Sequence, residues 1–126
     1  MAIHYNLAKV YANENLNQEF TKKILNDFIN HLPEDIKMIE FGIESKQYDS
    51  VKILTSKIKP TFDTFGMNTA YEELELIEHW TEVKGRRKEV TENFKNVQNK
   101  VNKAIKEIKK NDYMAGWIIT EVGDTN

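Results

Sequence analysis

The chain has 126 residues, 40% of them hydrophobic and 30% charged, which suits one domain with a continuous core and argues against a second. Its 18 Lys and Arg stand against 20 Asp and Glu for a net charge of -2, so the basic field of a nucleic-acid binder is missing and no nucleic-acid partner is expected. The absence of cysteine excludes disulfides, thiol catalysis and thiolate metal sites. No apolar run approaches the roughly 18 residues needed to span a bilayer, and no membrane partner is expected. The opening MAIHYNLAKVYANEN has neither the basic start nor the apolar stretch of a signal peptide, so a cytoplasmic location is expected.

Helical periodicity runs through the chain. A short amino-terminal helix is expected around residues 7–11, followed by a helix over about 16–31. In the latter, Phe20, Ile24, Leu25, Phe28, Ile29 and Leu32 recur at helical spacing, with Asn15 and Gln18 as an amino-terminal cap. Pro33 fits the first turn of the next helix, where Glu34 and Asp35 meet the positive end of its dipole. Ile36, Ile39 and Ile43 form its inner stripe, and it should end near Ser45.

A third run, over about 48–65, places Val51, Leu54, Ile58, Phe62 and Phe65 on one face, with Gly66 as a stop. Thr69 to Glu72 read as a capping box for a fourth, which buries Leu74 and Ile77 before Lys84 and Gly85 end it. The last helix, over about 86–110, carries Val90, Phe94, Val97, Val101, Ala104 and Ile108 in alternating steps of four and three, the seam of a helix packed lengthwise. With short connections throughout, the expected fold is all-α: one domain forming an antiparallel up-and-down four-helix bundle with an additional short amino-terminal helix. Residues 112–126 break the helical pattern and are set apart as a tail. Its apolar part, with Trp117, either returns to the bundle or joins a second copy, which leaves a homo-oligomer open.

The two faces of the 48–65 helix separate at about 100° per residue. Lys52, Ser56, Lys59 and Asp63 follow spacings of four, three and four and form one polar stripe, while Ile58 lies roughly 200° around from Ser56. Ser56 is therefore expected to face solvent.

This segment, VKILTSKIKPTFDTFGM, resembles the active helix of the histidine phosphotransfer (HPt) domain family, with Ser56 at the place of the reactive histidine. That histidine is followed at the next position by a basic or polar residue, three on by a lysine, four and five on by small residues or proline, and ten on by a glycine. Here those places hold Lys57, Lys59, Pro60, Thr61 and Gly66. The opening YNLAKV, the two helices before Val51, the KxKP element and FGM fall in the family's order, so the resemblance covers about residues 5–110. It implies an HPt-like bundle in two-component signalling whose partner is the receiver domain of a response regulator or hybrid histidine kinase. It also implies Lys52, Ser56, Lys57, Lys59 and Asp63 as the partner-binding surface, with Pro60, Thr61 and Gly66 as its structural motif.

Phosphotransfer through Ser56 itself is chemically disfavoured. An imidazole is nucleophilic near neutral pH and gives a labile phosphoramidate, whereas an isolated serine needs a base and gives a stable ester. No histidine or carboxylate occupies its helix neighbours 52, 53, 59 and 60. The expectation is a non-catalytic, cofactor-free signalling module whose Lys57 and Lys59 attract an acidic receiver pocket. Two alternatives stay open: an active phosphotransfer protein whose native histidine was replaced at Ser56, and a helical interaction module outside phosphorelays.

The other chemically suggestive residues have plainer readings. His31, near the end of the 16–31 helix, suits a capping or interhelical role. His4 lies at the start of the chain, and His79 with Glu75 and Glu82 makes a weak ligand set, so no metal is assigned. Phe62 and Phe65 are expected in the core against Phe20 and Phe28, with Trp80 at the edge of the buried stripe.

Overall fold

The computed structural model describes residues 5–7 and 18–111, and the side chains of 5–7 and 22–110. The described residues form a helical bundle of five α-helices and one 3₁₀ turn, without strands. In chain order these are α1 (Gln18–Asn30), α2 (Leu32–Glu44), α3 (Tyr48–Thr64), α4 (Asn68–Val83), the 3₁₀ turn (Arg87–Glu89) and α5 (Thr91–Asn111). The expected helix at 7–11, the Asn15 cap, the Phe20 side chain, His4 and the tail with Trp117 lie outside the described residues.

The apolar stripes converge as their spacing requires. Leu25, Phe28 and Ile29 of α1, Ile36, Ile39 and Ile43 of α2, Val51, Ile58 and Phe62 of α3, and Leu74 and Ile77 of α4 are all buried in one cluster. All six residues of the last predicted seam, from Val90 to Ile108, join it. Phe28 stacks on Phe65 with ring centroids 4.0 Å apart. Each helix packs on its chain neighbour, and α2 also meets α5. Gly42 allows α2 and α3 to close: a Cβ there would lie 2.6 Å from Val51 Cγ2.

Pro33 and the acidic pair Glu34 and Asp35 occupy the first turn of α2, and Ser45 is its C-cap. Gly66 ends the α3 turn with φ +65°, and an added Cβ would sit 2.6 Å from Asn6 Cβ. That close approach exists because the Asn6 amide donates to the Phe65 carbonyl at 2.6 Å, laying the short 5–7 segment over the turn.

Four local expectations are corrected. The N-cap of α4 is Met67, with no side-chain cap hydrogen bond, so the box at Thr69 to Glu72 does not form; Met67 is instead buried in the core. The last helix starts at Thr91 and not at 86, because the chain first makes the 3₁₀ turn, held by the Arg86 amide donating to Glu89 Oε1 at 2.6 Å. Leu54 is only half-buried, and Thr55 takes the core place beside it, its hydroxyl satisfied by the Lys52 carbonyl at 3.0 Å. Trp80 is not at an edge but buried, packed against Tyr48 with centroids 4.8 Å apart, its Nε1 donating to the Arg86 carbonyl at 2.9 Å.

Candidate functional site

The polar side of α3 carries Ser56 near the helix midpoint, exposed, one residue beyond the buried Thr55. Its hydroxyl donates to Glu78 Oε2 of α4 at 2.7 Å. The same carboxylate accepts from Lys59 Nζ through Oε1 at 2.8 Å, so Glu78 clasps two residues of α3 one turn apart. Sequence reading missed Glu78, and Ser56 is not the isolated serine expected. Neighbours along one helix follow from spacing, whereas a partner 22 residues away depends on how two helices register.

The clasp is partly withdrawn from water, with the side chains of Lys59 and Glu78 20% and 21% exposed. The hydrogen bond to Glu78 raises the affinity of Lys59 for its proton, and burial offsets only part of this. Hydrogen bonds from Lys59 and Ser56 hold the Glu78 carboxyl below its ordinary range against the opposing effect of burial. Lys59 Nζ also lies 5.5 Å from the Tyr71 ring centroid, a cation–π contact.

The remaining predicted residues divide among different settings. Lys52 reaches toward α4, its Nζ 3.5 Å from Glu82 Oε2. Lys57 turns to the other flank of α3, its Nζ 3.2 Å from Asp35 Oδ1 of α2. Asp63 is exposed farther along the stripe. The lysines at 52, 57 and 59 are therefore each engaged by a carboxylate of a neighbouring helix, not held out as bare cations, and Lys59 on the polar stripe is half-buried.

Pro60 lies inside α3 and brings no amide hydrogen to the carbonyl of Ser56, four residues earlier. Pro60 and Thr61 instead line a groove of about 420 Å³ between α3 and the α1–α2 pair, whose walls include Phe28, Ile58, Asp35 and Lys57. Gly66 shapes the end of α3 and not its polar face. His31 stands between α1 and α2, with Nε2 3.8 Å from Asp27 Oδ1 one turn back. His79 is exposed on α4, and among the described residues no group of three His, Asp or Glu is placed to hold a metal ion.

Chemically, the clasp orients the Ser56 hydroxyl but is a poor way to activate it. A carboxylate held below its usual range is a weak base toward an alcohol, and its lone pairs are shared with an ammonium. What the geometry offers is an exposed hydroxyl at the centre of a helix, ringed by paired charges. Comparison with protein-family models, with curated proteins and with solved structures gave no match.

Proposed function

We propose that the chain is an HPt-like module of two-component phosphorelay signalling that binds receiver domains in the cytoplasm without accepting phosphate itself. The observation that carries this reading is the exposed Ser56 at the middle of α3, followed at the resembling positions by Lys57, Lys59, Pro60, Thr61 and Gly66. The antiparallel sense of the contacts is in keeping with an up-and-down bundle. Gly42 meets Val51 while Asp35 meets Lys57, and Lys59 meets Glu78 while Lys52 nears Glu82. On this reading the partner surface comprises Lys52, Ser56, Lys57, Lys59 and Asp63, and the module acts as a competitor, tether or adaptor for receivers.

Glu78 gives specific support to a second reading, an active phosphotransfer protein whose histidine was replaced at Ser56. A carboxylate beside position 56 can accept a hydrogen bond from an imidazole N–H there and so fix the ring's tautomer and orientation. One experiment addresses both. The parent and Ser56→His are mixed with receiver domains from response regulators and hybrid kinases of the same organism, unphosphorylated to measure binding and phosphorylated to measure acid-labile and acid-stable phosphate on each protein. The expected outcome is receiver binding by both proteins, acid-labile label on Ser56→His and none on the parent. Stable label on Ser56 would overturn the non-catalytic reading, and absence of binding to every receiver would overturn the phosphorelay reading.

A further inference from the structure

The charges around Ser56 differ from those expected of a surface that welcomes an anion. Within reach of this part of α3 are three lysines, Lys52, Lys57 and Lys59, and each is matched by a carboxylate: Glu82, Asp35 and Glu78. Glu75, one turn before Glu78 on α4, adds a further negative charge to the field at Lys59. The lysines are thus neutralised locally, and the surplus charge is negative.

Glu78 occupies the most consequential place. Its carboxylate is the group in direct contact with the Ser56 hydroxyl, so any partner that centres its own reactive group on Ser56 must approach Glu78 to within a few ångströms. The Lys59 ammonium is already balanced by Glu78 at 2.8 Å, so an incoming anion meets an ion pair and not a bare cation.

Phosphorylation converts a receiver's aspartate, which already carries one negative charge, into an acyl phosphate that carries about two, and so adds about one negative charge to the centre of the receiver's binding face. Juxtaposed like charges at an interface oppose association, and the more so when neither is well screened. We infer that the Ser56 surface discriminates between the two states of a receiver domain: Glu78 makes it a selective binder of the unphosphorylated form. This rests on the receiver-binding reading above and extends it to the regulation of that site. The protein would release a receiver when its aspartate becomes phosphorylated, making the tether conditional on signalling.

The test uses the full chain and the receiver domain that binds it most tightly in the mixing experiment. Affinity is measured for that receiver in its free form with Mg²⁺ and in its beryllofluoride-activated form, a stable mimic of the aspartyl phosphate. The expected result is a preference of about tenfold for the free form, corresponding to about 1.4 kcal/mol. Glu78→Gln keeps the size of the side chain and an oxygen for Ser56 while removing the charge, and should narrow the preference to within about twofold. Glu92→Gln, the same charge change on α5, should leave it intact. Raising the ionic strength should narrow the preference of the parent itself, a readout that needs no variant to fold. Equal affinity of the parent for both forms, or preference for the activated one, overturns the inference and leaves the receiver-binding reading standing. A preference that survives Glu78→Gln removes Glu78 as its cause. Failure of every receiver to bind in either form overturns both.

Discussion

Glu78 bonds to two residues that differ in charge and exposure, and this gives the clasp a definite pH dependence. The Glu78 carboxyl is held below its ordinary range by the hydrogen bonds from Lys59 and Ser56, so its contribution to stability is present above that range and is lost as the pH falls through the lowered value. Lys59 holds its proton more tightly than a free lysine because of Glu78, so its contribution is present below the ordinary lysine range and is lost as the pH rises through the raised value. The pair therefore stabilises the fold across the neutral plateau and at neither extreme. Glu78→Gln should cost about 1 kcal/mol at neutral pH, the scale of a charge-assisted contact that is still partly hydrated. Thermal unfolding of parent and variant across pH checks this. Their difference should shrink in acid and in strong alkali, and a difference that stays constant would show that the ion pair is not its source.

At the level of elements, apolar periodicity carried most of the fold because it needs only neighbours along one helix. The six-residue seam of α5 and the isoleucine stripe of α2 could be read this way, and the stop at Gly66 from the left-handed backbone that glycine allows. The errors fall where a tertiary contact outranked a local signal. Met67 is the N-cap of α4 because its side chain belongs in the core, not because it caps. The chain from Lys84 to Val90 is shaped by Tyr48 donating to the Gly85 carbonyl at 2.8 Å and by Trp80 donating to Arg86, so α5 begins later than its polar-apolar pattern suggests. Lys84 adopts φ +51°, and Gly85 is needed where a Cβ would lie 2.5 Å from Trp80 Cδ1. Exposure of Ser56 followed from angular arithmetic, but Glu78 did not, since that arithmetic says nothing about a neighbouring helix.

Pro60 supports a prediction at the same scale. It is exposed within α3 and supplies no hydrogen for the Ser56 carbonyl, so its ring gains little by packing while the helix loses a bond. Pro60→Ala should therefore raise stability, by about 1 kcal/mol or more on the helix-propensity difference, tempered by the greater freedom it gives the unfolded chain. Chemical denaturation of the two proteins measures it, and an unchanged or lower midpoint would mean that the ring contributes to the groove wall more than the missing hydrogen bond costs.

On the scale of the whole molecule, one buried cluster draws on every described helix, so no helix can lose its place without exposing the inner face of another. Such a core predicts a single cooperative transition, in which loss of helix and loss of packing around Trp80 coincide. Val97 sits in the middle of the α5 seam and is fully buried. Val97→Asp would either bury an unpaired carboxylate or force that carboxyl to remain protonated, and a cost above about 3 kcal/mol is expected. The measurement is denaturation followed both by far-UV circular dichroism and by tryptophan fluorescence, in a Trp117→Phe background so that the emission reports Trp80 alone. Both signals should move to lower denaturant together in Val97→Asp, because a defect on α5 must weaken the α4 face against which it packs. Two separated transitions would divide the chain into independent units, and a shift of less than about 1 kcal/mol would remove Val97 from the core that joins them.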